Sequence, residues 1–309
     1  MLGIVGTVPD PKFPLTHGPV RLIGRELSIQ GHLIPVNRGT PALLAAAIKA
    51  SEAISGEVIY AFLVGDIGKG DGSRQLYQFL ARELPEFDFQ VLTFHYLQPD
   101  VDWHNKVLFA VETMKRRPIL IADAGFMYAA KMSGQSPCYD FFTPDVGELA
   151  FLADETAPHP FYTRGFILHP DADAPDLIRR AYRFQNAAKY LVVKGKTDYI
   201  ADEKQIIETV DTPSFQAMEA IGGTGDMLTG LLTVLCGTDL KPVNAGILAS
   251  RLNRWTGYHA TPSPATQIIE LIDCIPQAVS SLRTTHTPRN IHGETVRIPY
   301  PARKYSAQE

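Results

Sequence analysis

Cysteine is scarce. The three in 309 residues, Cys138, Cys236 and Cys274, are too few and too scattered for a disulfide framework or a paired-cysteine metal site. They read as core or surface thiols, and the expected compartment is reducing. No apolar run reaches the roughly 18 residues that a membrane-spanning helix needs. The opening stretch MLGIVGTVPDPK has no basic leader before Pro9, so a cleaved signal peptide is not expected. A cytoplasmic protein follows as the expectation. Nine histidines include no HxH or HxxxH pair, which removes the usual zinc spacing. There is no GxSxG for a serine hydrolase and no GxxxxGK[ST] for a P-loop; GDIGKGDG at 65–72 lacks the first glycine of that motif. Excess charge is absent too: Lys plus Arg is 29 and Asp plus Glu 33, a net −4, so nothing drives the whole chain toward nucleic acid or an anionic membrane.

What is present suits a folded α/β protein, with 45% hydrophobic and 20% charged residues. Short apolar runs at 58–64, 89–94, 118–122, 141–143 and 190–193 alternate with helix-like stretches at 43–54, 74–84, 103–114, 145–152 and 174–188. Three helices follow at 225–235, 242–258 and 266–282, and 199–201 with 205–209 suggests a hairpin. This alternation predicts a mostly parallel sheet covered on both faces. A strand is expected at 31–36, and Thr40-Pro41 predicts a helix start with the threonine oxygen as cap. Residues 1–30, with one strand near 20–23, read as an N-terminal extension, 31–286 as the body and 287–309 as an extended tail. Ligands of open α/β sheets bind beyond the carboxyl ends of the strands. That rule draws attention to 65–72, His95, 123–125, 143–148, 194–198 and 222–226.

Residues 221–230 read IGGTGDMLTG, and Leu228, Leu231, Leu232 and Leu235 continue on one helical face. Glycines therefore open a helix. Without Cβ atoms, Gly222, Gly223 and Gly225 allow backbone N–H groups to curl around an anion, and the helix N-terminus adds partial positive charge. Asp226 follows in the first turn, where a carboxylate can take a proton from a substrate hydroxyl. A tight turn whose aspartate only complements the helix dipole has the same spacing.

GGTGDxLxG at 222–230 resembles the signature of the ribokinase-like superfamily. TPDVGEL at 143–149 resembles the TPHxGE stretch of the ADP/ATP-dependent NAD(P)H-hydrate dehydratases, with Asp145 where that family has histidine. Val192-Val193-Lys194-Gly195 followed by Thr197-Asp198 is similar to their KG-x-T hairpin, and Asp123-Ala124 after PILIA to their Asp-Ala. Arg38-Gly39-Thr40-Pro41 resembles their glycine-rich entry into the first helix, without its fuller Gly-Gly-Ser pattern, and 263–276 resembles their closing helix. The likeness spans about 31–284. It implies a ribokinase-like three-layer α/β/α sandwich with a mostly parallel central sheet. It implies ATP or ADP as phosphoryl donor, hydrated NADH or NADPH as the small-molecule substrate, and a homo-oligomer. By the same likeness Asp226 is the base. Gly222, Gly223, Thr224, Gly225, Lys194 and Gly195 meet the nucleotide phosphates, and Asp123, Gly39, Thr40 and Asp145 face the substrate. Asp145 and Glu148, three apart on one helical face, would organise Mg2+.

Plainer readings stand beside these. Asp145 and Glu148 suit an acidic helix start, Asp123 a cap for a helix over 124–132, Lys194 a strand-end lysine, and 65–72 a simple turn. His95 and His104 read as ordinary polar contacts. Two other functions share the superfamily motif: a kinase that leaves phosphate on a sugar or thiazole-type alcohol, and a nucleotide-binding relative without catalysis, favoured by the altered 143–149 stretch.

Overall fold

A strand buried on both faces needs apolar residues at every position, and Val192-Val193 and Phe141-Phe142 meet that need. The computed structural model describes residues 1–157, 173–284 and 298–299. Its strands are β1 (Leu2–Val8), β2 (Thr16–Pro19), β3 (Arg21–Ile23), β4 (Glu26–Ile29), β5 (His32–Pro35), β6 (Ile59–Gly65), β7 (Val91–Phe94), β8 (Ile119–Ala122), β9 (Phe141–Phe142), β10 (Tyr190–Val193), β11 (Asp198–Asp202) and β12 (Ile206–Val210). The helices are α1 (Thr40–Ile54), α2 (Asp71–Glu83), α3 (Val101–Glu112), α4 (Gly125–Met132), α5 (Val146–Ala153), α6 (Ala174–Arg183), α7 (Ala217–Ala220), α8 (Thr224–Cys236), α9 (Pro242–Ala260), α10 (Ile268–Ile272) and α11 (Ile275–Thr284).

Nine strands form one sheet in the order β12-β11-β10-β9-β8-β7-β1-β6-β2. The run from β10 to β6 is parallel, while β11, β12 and β2 are antiparallel at the edges. Successive side chains point to opposite faces. Ile121, Phe141 and Val192 pack with α1, α8 and α9, whereas Leu120, Phe142 and Leu191 pack with α3, α4 and α5. The result is three layers: helices, mostly parallel sheet, helices. No helix among the described residues is long and apolar enough to cross a membrane.

Contact between α1 and α8 is close because Gly230 has no side chain. A Cβ there would lie 2.4 Å from the Leu43 carbonyl oxygen. This backbone-to-backbone approach sets the start of α1 against the start of α8.

Several expectations need correction. Leu2–Val8 is not part of a separate extension: it lies between β6 and β7 in the middle of the sheet. The strands expected near 20–23 and at 31–36 are β3 and β5, which with β4 form a separate three-stranded sheet. Thr40 does not cap α1; Gly39 is the N-cap, with no side-chain cap. The helix expected over 266–282 is two helices, because Asp273 ends α10 and a second helix starts at Ile275-Pro276. The tail at 287–309 lies outside the described residues apart from 298 and 299.

Candidate active site

Four parallel strands deliver side chains to one edge. His95 follows β7, Asp123 follows β8, Thr143 follows β9 and Lys194 follows β10. The first turn of α8 faces them. Between lies a cleft of about 420 Å³ lined by His95, Tyr96, Asp123, Lys194, Gly225 and Asp226, among others.

Asp226 is 9% exposed. Its Oδ2 accepts from the Gly39 backbone N–H at 2.7 Å, and its Oδ1 lies 2.9 Å from His95 Nε2. Gly39 can aim its N–H this way because it sits at φ 70°, ψ −148°, a conformation that L side chains rarely adopt. Burial alone would raise the Asp226 pKa. The hydrogen bond and electrostatic pull of His95, the charge of Lys194 and the Gly39 N–H outweigh it, so the carboxyl is held below its ordinary value. His95 is fully buried, and its Nδ1 meets Thr40 Oγ1 at 2.9 Å. With Asp226 ionised, His95 Nε2 is the donor to the carboxylate.

Lys194 Nζ bonds both oxygens of Asp123 at 3.0 Å. Asp123 also accepts from Thr229 Oγ1 at 2.6 Å and from the Ala124 N–H at 2.8 Å. Ala124 holds φ 48°, ψ −133°, a strained conformation for a residue with a Cβ, right at the cleft wall. Burial would lower the Lys194 pKa, but Asp123, Glu148 and Asp226 push it above its ordinary value. The ammonium also borders the glycine turn: a Cβ on Gly225 would lie 3.4 Å from Nζ.

Asp145 is the N-cap of α5. Its carboxylate accepts from the Glu148 N–H at 2.8 Å, and Glu148 Oε2 accepts from the Asp145 N–H at 2.9 Å, a reciprocal capping box. Glu148 Oε1 accepts from the Tyr128 hydroxyl at 3.2 Å. Burial pushes the Glu148 carboxyl up to about 8, with Lys194 opposing and the negative charges of Asp123 and Asp145 adding to the rise. Asp145 bridges to Lys194 through an isolated parallel β-bridge, so the capping box is tied to the end of β10.

Pro213, Phe215, Met218 and Leu228 add apolar lining to the cleft, beside the polar Ser214 and Glu219. Asn253 of α9 also lines it, 9% exposed, with a buried Oδ1 that has no hydrogen-bond partner. Arg254 beside it braces the β10–β11 turn, pairing with Asp198 at 3.1 Å and donating to the carbonyls of Gly195 and Lys196 at 3.0 Å each.

Of the residues singled out in the sequence, Asp123, Asp145, Glu148, Lys194, Gly195, Gly223, Thr224, Gly225 and Asp226 share this cleft. Gly223 opens α8 at φ 105°. Exposed Gly222 lies under the side chain of Arg38, and Gly39 touches the site only through its N–H. Thr40 is buried behind the site and reaches Asp226 through His95. Lys194 does not stand free at a strand end, because Asp123 holds it. Nor does Asp123 cap α4 by a side-chain bond to the helix; the N-cap position is Ala124. In the 65–72 loop the N–H groups of Gly68, Lys69 and Gly70 all donate to Asp66 Oδ1, so these three are not free for a ligand. His104 is an internal contact, bonded to the buried Tyr139 hydroxyl at 2.8 Å. His95 is the residue that local spacing undervalued. Its position directly beyond a buried strand, like that of Asp123 and Lys194, is the signal that marks it. The ligand atoms of His95, Asp123 and Asp226 lie within 4.8 Å of one another, but each already has a protein partner.

Comparison with known proteins agrees with this geometry. A family model described as NAD(P)H-hydrate dehydratase matches residues 98–277. An uncharacterized protein of Methanocaldococcus jannaschii is 41% identical over 240 residues, covering 77% of this chain and 99% of that protein. The structure of the ADP/ATP-dependent NAD(P)H-hydrate dehydratase of Bacillus subtilis, co-crystallized with ATP and Mg2+, superimposes with a TM-score of 0.57 at 15% identity, over 90% of this chain and 88% of that one. A ribokinase-like superfamily protein of Enterococcus faecalis gives 0.53 at 15% identity, over 91% and 87%. The fold is thus ribokinase-like. The family match spans more than half the chain and covers Asp123, Asp145, Glu148, Lys194 and Asp226, and on that basis the chain belongs to the NAD(P)H-hydrate dehydratase family.

Proposed function

We propose that the protein repairs hydrated NADH or NADPH by phosphorylating the hydroxyl of the hydrated ring, with ATP or ADP as donor, and then eliminating phosphate. The observation that carries this reading is Asp226, ionised and held at two points, in a cleft beside a glycine turn and the Lys194 ammonium.

Asp226 takes the hydroxyl proton as the hydroxyl oxygen bonds to the donor's terminal phosphorus and the bond to the bridging oxygen breaks. The N–H groups of the 222–225 turn and Lys194 meet the charge on the transferring group. Phosphate then departs with the C–O electrons, a ring proton is lost and the double bond returns. Phosphorylation is needed because hydroxide leaves poorly and phosphate leaves well.

A nucleotide suits the cleft, where Pro213, Phe215, Met218 and Leu228 offer apolar contact for a flat base. Mg2+ also suits the donor set. Asp145 and Glu148 offer oxygen ligands, set three residues apart at the start of α5 on the cleft wall. When bound, the ion would offset phosphate charge against these carboxylates, so chelation with EDTA is expected to abolish turnover without unfolding the protein. The homo-oligomer implied by the resemblance has support in Ile23 and Leu33 of the small sheet, 59% and 57% exposed. A monomer by light scattering would count against it.

The test is a product assay with hydrated NADH and ATP or, separately, ADP. Restored NADH with released phosphate supports the dehydratase, whereas a stable phosphorylated product would make this a kinase instead.

A further inference from the structure

We propose that His95 is the positioning residue for Asp226, that Thr40 positions His95 in turn, and that this buried chain fixes which lone pair of the carboxylate receives the substrate proton. The inference rests on Asp226 acting as the base.

Three contacts define the chain. Thr40 Oγ1 lies 2.9 Å from His95 Nδ1, and His95 Nε2 lies 2.9 Å from Asp226 Oδ1; Gly39 N–H holds the other oxygen at 2.7 Å. The carboxylate therefore cannot rotate without losing a donor. Thr40 and His95 are 0% exposed. His95 and Asp226 both line the cleft, and of the three side chains only that of Asp226 is exposed, at 11%.

The surrounding backbone is built to permit this. A Cβ on Gly6 would lie 2.4 Å from Thr40 Oγ1 and 2.8 Å from the His95 carbonyl oxygen, so only glycine leaves β1 room for the pair. The His95 N–H bonds the Val5 carbonyl at 2.8 Å, locking the residue to the central strand. Thr40 leads a helix, where its hydroxyl would ordinarily cap; it turns to the imidazole instead.

Charge around the imidazole comes from three elements. Asp226 approaches from α8, Asp123 beyond β8 at 4.0 Å, and Lys194 beyond β10 neutralises Asp123. Tyr96, on the imidazole's own segment, lies tilted against it at 54°, with 4.1 Å between centroids. Asp226 is thus the carboxylate that claims the Nε2 proton. A threonine–histidine–aspartate chain also has the order of a hydrolase triad, but buried Thr40 is not among the cleft's lining residues. It orients; it does not attack.

The experiment measures kcat, KM and the pH profile of kcat/KM with hydrated NADH and ATP for wild type, His95→Ala, His95→Gln and Thr40→Val. His95→Ala is expected to lower kcat about 10- to 100-fold, with both KM values within about twofold. Its acid limb moves to higher pH, because Asp226 loses the donor that favours its charged form. His95→Gln, whose amide can donate from nearly the same place, recovers kcat to within about threefold of wild type. Thr40→Val moves the acid limb the same way by less. If His95→Ala fails to fold, His95→Gln and Thr40→Val decide: a Thr40→Val profile superimposed on wild type, or a glutamine variant more than about tenfold slower than wild type, overturns the proposal. So does a folded His95→Ala with wild-type kcat and an unmoved acid limb. Asp226→Asn, run in parallel, separates the two levels. Retained turnover there removes the proposed base itself, while an inactive Asp226→Asn beside an unaffected His95→Ala removes only this inference.

Discussion

Replacing Lys194 by methionine keeps most of the side-chain volume and removes one charge. The structure then leaves Asp123, 1% exposed, without its ammonium partner at 3.0 Å. Breaking a buried pair from one side costs about 3–5 kcal/mol, since the remaining charge stays desolvated. Asp123 keeps two donors, the Thr229 hydroxyl and the Ala124 N–H, which places the expected loss near the lower figure, about 3 kcal/mol. Asp123→Asn should cost a similar amount by stranding Lys194. In the double variant both charges are gone, and stability should return to within about 1 kcal/mol of wild type. The lysine pKa is raised in the fold, so the pair's stabilisation is fully present below the unfolded lysine pKa of about 10.4 and is lost only as pH rises through the folded value. Urea unfolding at neutral pH without nucleotide therefore reads the whole effect. ATP binding separates structure from function: both Lys194→Met and the double variant should bind about tenfold or more weakly, because the cation beside the glycine turn is missing in each. Single-variant losses that add within about 0.5 kcal/mol, or wild-type ATP affinity in the double variant, would refute the reasoning.

Gly225→Ala tests the anion turn with little structural cost. The new Cβ would meet Lys194 at ordinary contact distance, and alanine favours a helix by up to about 1 kcal/mol, so the variant should be as stable as wild type or more so. Its ATP affinity, measured by calorimetry, should nevertheless fall severalfold; unchanged affinity would remove the turn from the phosphate site. Acid stability offers a check on Asp226. Its lowered pKa contributes stability that is present above the unfolded value of about 3.9 and is lost as pH falls through the folded value. Denaturation curves of wild type and Asp226→Asn between about pH 2 and 5 should converge toward the acid end; parallel curves would contradict the shift.

Much of the main sheet was legible because strands buried on both faces leave continuous apolar runs, as at Val192-Val193 and Phe141-Phe142. Leu2–Val8 was hidden by its glycines. Gly3 and Gly6 break the apolar run, yet each is needed, since Cβ atoms there would lie 2.9 Å from Leu92 Cδ1 and 2.4 Å from Thr40 Oγ1. The spacing of Asp145 and Glu148 suits both a helix start and a ligand pair, and their capping box realises the first while leaving both residues at the cleft. Thr40 shows tertiary structure overriding a local signal: Thr-Pro did mark the start of α1, but Gly39 takes the cap position and the threonine hydroxyl meets His95. His95 and Asp226 are 131 residues apart, so spacing along the chain carries no trace of their bond. Only the position of His95 beyond a buried strand pointed toward the site.

Turnover of Asp226→Asn with hydrated NADH and ATP or ADP reaches the center of this account. The asparagine retains size and polarity but takes up no proton at neutral pH, so kcat should fall by about 10²–10⁴ while ATP still binds. Near-wild-type restoration of NADH by this variant would contradict the claim that a carboxylate beside the glycine turn deprotonates the substrate.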